Sequence, residues 1–172
     1  EQAGEAAESA ESNAQLFSSA IVFFILIIVG LVFVLNSFRQ TALITSVAGL
    51  CVGLAIMGLF VGMQNFGFIG IVGAIGLAGL AINDSIVVLA AMKADAKKTD
   101  YKLQELVETV IRATRHIITT TATTIGGLFP LIVSSVFFQP LAWAMSVGVI
   151  GASVIALFYI PAMFKIFSGI KN

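Results

Sequence analysis

Residues 66–92 read FGFIGIVGAIGLAGLAINDSIVVLAAM, and this stretch decides the fold. Apart from Asn83, Asp84 and Ser85, its 27 residues are apolar side chains and glycine. At 1.5 Å per residue, about 20 such residues cross the roughly 30 Å hydrocarbon core of a bilayer. The run therefore predicts a membrane-spanning helix with a carboxyl group inside it. An ionised aspartate at the centre of a span costs on the order of 2.5–3.5 kcal/mol, so it is expected to face other helices or a wet cavity.

Composition extends the membrane reading to the whole chain. Of 172 residues, 59% are hydrophobic and only 10% charged, against about 25% charged in soluble domains. Five runs are long and apolar enough to span, at about 16–35, 41–62, 66–92, 117–137 and 141–167. The expected class is an all-α integral membrane domain, with an acidic lead-in helix over 1–15 and a transmembrane domain over 16–172. A single cysteine, Cys51, excludes an internal disulfide and is expected to act as a small buried hydrophobe. The first 16 residues carry no lysine or arginine. A signal peptide needs a basic leading region, so none is expected, and the start at Glu1 reads as a cut in a longer protein.

The charges fix a sidedness. The nine basic residues are Arg39, Lys93, Lys97, Lys98, Lys102, Arg112, Arg115, Lys165 and Lys171. With five spans, all of them fall on one side of the membrane, and the turns around Gln64 and Gln139 carry none. The positive-inside rule then predicts a cytoplasmic C-terminus and an external N-terminus. Trp143 with Phe137 and Phe138 falls where an outer aromatic belt is expected. Glu1, Glu5, Glu8 and Glu11 share one helical face of the lead-in, whereas Asp95, Asp100, Glu105 and Glu108 lie in the connection after the third span. Asp84 is left as the acid inside a span.

Residues 100–116 form that connection's helical part. Leu103, Leu106, Val107, Val110 and Ile111 recur at helical spacing, and Glu108 and Arg112 are placed for an i,i+4 pair. An amphipathic helix on the inner membrane surface and an ordinary helical connector both fit.

Two constellations could carry function. Gly76, Gly79 and Asn83 lie on one stripe of the third span, and Gly73 precedes them; small residues there let another helix pack closely. Asn83 and Asp84 stand about 100° apart on the helix, so one is expected to meet a neighbouring helix while the other faces a polar centre. The fourth span opens HIITTTATTIGG (116–127), with Thr120, Thr123, Thr124 and Gly127 on one face. Its hydroxyls either bond their own helix's carbonyls or form a track to Asn83 or Asp84. Asp84 itself is either a proton-carrying group or a protonated carboxyl that bonds a neighbour. His116 sits at the inner edge, where a solvated role is expected. Pro130 and Pro161 are expected to kink their spans. Nothing resembles a metal cluster, a phosphate loop, a nucleophile triad or a nucleic-acid patch, so enzyme and nucleic-acid roles are set aside and no cofactor is expected.

Four segments carry a resemblance: GEAAESAES (4–12), GLAGLAINDSIVVL (76–89), RHIITTTATTIGGLFPLI (115–132) and QPLAWAMSVGVIGASVIALFYIPAMF (139–164). In this order they resemble the C-terminal membrane half of resistance-nodulation-division (RND) transporters, covering its last five membrane helices. The resemblance implies a trimeric transporter of the bacterial inner membrane that exchanges protons for amphiphilic compounds or metal ions. The proton gradient would be its energy source. It further implies partners: the N-terminal half and porter domains of the same protein, a periplasmic adaptor, and an outer-membrane channel. By the same resemblance Thr120 matches a relay threonine, and Asp84, Asn83, Thr120 and Thr124 are the candidate proton-relay residues. Position 83 is a lysine in some members and Asn here; the usual arginine-proline entry to the fourth span reads Arg115-His116. Because the family's principal acidic pair lies in the other half, Asp84 is either a supporting group or a proton carrier. A related module for protein translocation or lipid transport, and a structural unit without a proton role, are the alternatives. The polar faces of the third and fourth spans are expected to need the other half, so the chain alone is expected to fold poorly.

Overall fold

A computed structural model describes residues 2–95 and 103–168. Lys97, Lys98, Asp100, Lys102 and Lys171 lie outside the described residues, as do Glu1 and the side chains of Glu5, Glu8, Leu103 and Glu105. The described chain is all helical: α1 (Gln2–Leu35), α2 (Phe38–Val61), α3 (Phe68–Asp95), α4 (Leu103–Ser134) and α5 (Gln139–Ser168). Each of the five contains a segment long and apolar enough to cross a membrane. The protein is an all-α, multi-pass membrane domain.

Two helices are longer than their spans. The lead-in and the first span form one helix of 34 residues, about 50 Å long at 1.5 Å per residue. The connector and the fourth span likewise fuse into the 32 residues of α4. Neither proline nor glycine interrupts the chain between Leu103 and Ile125, so the connector runs on into the fourth span without a break. Helix α4 also runs on through Pro130, and α5 through Pro161. Sharp turns are kept for the loops: Asn36 and Met63 take left-handed backbone, with φ of 47° and 51° just after α1 and α2.

Helix α5 is the hub, packing on α2, α3 and α4, while among the described residues α1 touches α2 and α3 alone. The reason is a run of small residues. Ala144, Gly148, Ala152 and Ala156 recur every fourth position and are all buried, so neighbouring backbones approach α5 closely. On α2 the matching position is Gly58, where an added Cβ would lie 2.6 Å from the Trp143 carbonyl oxygen and 2.9 Å from the Ala144 Cα. On α3 it is Gly73, against Leu141 and Ala144 of α5. Trp143 is half-buried over Gly62 and so packs between helices as well as marking the end of the bundle. Cys51 is fully buried and unbonded, as a small hydrophobe should be.

At the end bearing the basic residues, α3 is tied to its neighbours by polar bonds. Lys93 Nζ donates to the Leu35 carbonyl at 2.8 Å. Asp95 accepts a hydrogen bond from Thr109 at 2.6 Å and forms an ion pair with Arg112 at 3.6 Å. Arg112 thus reaches across to α3, and the Glu108–Arg112 pair suggested by spacing does not form among the described residues. A tertiary partner offers a part-buried carboxylate, whereas Glu108 is exposed.

Candidate functional site

The two polar residues of α3 part company. Asp84 is buried, 3% exposed, while Asn83 lies on the exposed face of the bundle. One step along a helix turns the side chain by about 100°, and here that turn carries it from the outer surface to the contact with α4.

Thr120 of α4 is what Asp84 meets. Its hydroxyl stands 3.5 Å from Asp84 Oδ1 and 2.9 Å from the carbonyl oxygen of Ile117. A hydroxyl has one proton to give, and the shorter, better bond goes to Ile117. The two protonation states of Asp84 therefore make different demands. A neutral carboxyl can donate to the Thr120 oxygen while Thr120 donates to its own helix. An ionised one can only accept, so Thr120 must turn from Ile117 to serve it. Among the described residues no lysine or arginine pairs with Asp84. His116 lies one turn before Thr120, with its side chain exposed.

The other threonines do not form a track. Thr123 is exposed and spends its hydroxyl on the carbonyls of Thr119 and Thr120. Thr124 is half-buried and makes no side-chain hydrogen bond among the described residues. Of the four expected relay positions, the fold brings together Asp84 and Thr120; Asn83 and Thr124 are not joined to them. The glycines divide too. Gly73 is pressed against α5 and Gly76 is in ordinary contact with Met145, but Gly79 meets nothing within 4 Å. A side chain at Gly79 would thus have open space among the described residues, and Gly79 shares the exposed face with Asn83.

A family model described as AcrB/AcrD/AcrF matches residues 1–168, nearly the whole chain. The chain belongs to the AcrB/AcrD/AcrF family. No curated protein and no solved structure matched it. Membership makes the five helices part of an RND-type transporter's membrane module, in line with the four quoted segments.

Within this AcrB/AcrD/AcrF-family module, one polar pair escaped the reading of the sequence. Thr121 Oγ1 and Ser153 Oγ are 2.6 Å apart, linking α4 to α5. Ser153 already donates to the Val149 carbonyl at 2.8 Å, so Thr121 supplies the proton of the interhelical bond. The available signal was a pair of serines, Ser146 and Ser153, seven residues apart on one face of the fifth span. No group of histidine, cysteine and acidic residues able to hold a metal occurs among the described residues.

Proposed function

We propose that this module couples proton movement to substrate export in an RND-type antiporter, with Asp84 as the titrating group and Thr120 as its switching partner. The observation that carries this reading is a carboxyl group buried in a membrane span with a hydroxyl as its neighbour and, among the described residues, no lysine or arginine paired with it. Such a group holds a proton cheaply and an isolated charge dearly. Protonation and release would move the Thr120 hydroxyl between Asp84 and Ile117, changing how α3 meets α4. Helix α3 is bonded to the end of α1 through Lys93, and α1 continues beyond the membrane toward the porter domains. A shift of α3 thus has a mechanical path outward.

The remaining parts of the proposal follow from the family and the charge pattern. The basic helix ends face the cytoplasm of a bacterium, the acidic lead-in faces the periplasm, and the protein works as a trimer with an adaptor and an outer-membrane channel. The open stripe of Gly79 and Asn83 packs against the other half of the transporter, which relieves an amide that hydrocarbon would leave unbonded. Substrates are amphiphilic compounds or metal ions selected by the porter domains.

The test is substrate-dependent proton antiport by the full-length protein in proteoliposomes, wild type against Asp84→Asn, at equal folding and assembly. Coupling is expected to collapse in the variant. Undiminished coupling would overturn the role of Asp84 and leave it a hydrogen-bonding contact between helices.

A further inference from the structure

A crevice of about 300 Å³ opens between α2 and α5 at the end carrying the basic residues. Arg39, Ala42, Leu43 and Ser46 line it from one face of α2, and Tyr159 and Met163 from α5. We propose that this crevice binds an anionic phospholipid, with the phosphate on Arg39 and the glycerol-ester region on the Ser46–Tyr159 hydroxyl pair.

Three features support that occupant. Arg39 is exposed, and no acidic side chain pairs with it among the described residues, so its charge is available. It stands in the first turn of α2, which contains no acidic residue and whose cap, Ser37, makes no side-chain bond to the helix. The free amides and dipole of that turn add to the attraction for an anion. Deeper in, the Ser46 and Tyr159 hydroxyls lie 3.2 Å apart; Ser46 donates to the Leu43 carbonyl at 2.7 Å, so Tyr159 is the donor that turns from Ser46 to a lipid ester oxygen. Seven residues separate Arg39 from Ser46, about 10 Å of helix rise, and the long, flexible Arg39 side chain closes part of that gap when one lipid meets both.

Lipid is favoured over a free anion by the rest of the lining. Ala42, Leu43 and Met163 offer an apolar floor along which an acyl chain can lie, and inorganic phosphate gains nothing from it. Basic pockets between membrane helices on the cytoplasmic side are suited to phospholipid headgroups.

Native mass spectrometry of the delipidated full-length protein tests this, with phosphatidylglycerol as the probe and phosphatidylcholine of the same chains as the neutral reference. Wild type is expected to retain phosphatidylglycerol several-fold more than phosphatidylcholine, and Arg39→Gln to bring the two level. Ala42→Trp, which fills the crevice from an exposed position, is expected to lower binding of both. Equal retention of the two lipids by wild type, or full phosphatidylglycerol retention by either variant, would overturn the proposal. So would displacement of the bound lipid by millimolar inorganic phosphate, which would mark a free-anion site.

Discussion

Lys93 of α3 closes the end of α1: its ammonium donates to the carbonyl oxygen of Leu35 at 2.8 Å, across 58 positions of sequence. The last carbonyls of a helix have no partner within it and carry the negative end of its dipole, so a lysine from a neighbour satisfies both needs. The bond matters because α1 is otherwise lightly held. Its exposed face includes Ile21, Leu26 and Phe33, and an apolar cleft lined by Ile21, Phe24, Ile75 and Ala78 separates it in part from α3.

Replacing Lys93 by methionine keeps the stem and removes the donor. The loss should cost about 1.5–3 kcal/mol, the range for a charge-assisted bond. It should appear as faster amide exchange near the junction of α1 and α2 in the full-length protein. Unchanged exchange there would show that α1 is fixed by other contacts.

Gly58 and Gly53 lie on opposite sides of α2 and should respond oppositely to alanine. A Cβ at Gly58 meets α5 backbone at 2.6 and 2.9 Å, whereas one at Gly53 meets nothing within 4 Å. Gly58→Ala is expected to destabilise by about 1–3 kcal/mol through overpacking. Gly53→Ala should be neutral or slightly stabilising, since alanine favours helix over glycine. Denaturant titration of the detergent-solubilised protein distinguishes them, and equal stabilities would contradict the close α2–α5 approach.

The Thr121–Ser153 bond should be weak but measurable. Hydrogen bonds between membrane helices couple by about 0.6 kcal/mol on average. A double-mutant cycle with Thr121→Val and Ser153→Ala should give a coupling of about that size. Zero coupling would mean that the two hydroxyls are satisfied independently.

Thr120 can be separated from Asp84 by chemistry. Thr120→Val keeps the shape and removes the hydroxyl, leaving the Asp84 carboxyl without its α4 partner. Proton-coupled transport in proteoliposomes should fall several-fold, while Thr120→Ser, which restores a hydroxyl, should recover most of it. Failure of serine to rescue would assign the position to packing.

The sequence by itself determined the all-helical membrane class, the five spans and the gathering of lysine and arginine at one end, because these follow from hydropathy, length and charge order alone. It also marked Asp84, Asn83, Thr120 and Thr124 as candidates, of which the fold joins Asp84 and Thr120. Within the chain, spacing gave the 100° between Asn83 and Asp84 but not which of them turns inward. Likewise it marked five threonines near the start of the fourth span, yet only the packed bundle sets Thr120 toward Asp84, Thr121 toward Ser153 and Thr123 toward open surface. Local periodicity measures angles around one helix axis. The rotation of that axis against its neighbours is set by contacts between residues far apart in the chain, above all the small-residue face of α5 that draws α2 and α3 in. That rotation, decided by tertiary packing, turns a polar pair in an apolar run into one buried carboxyl and one exposed amide.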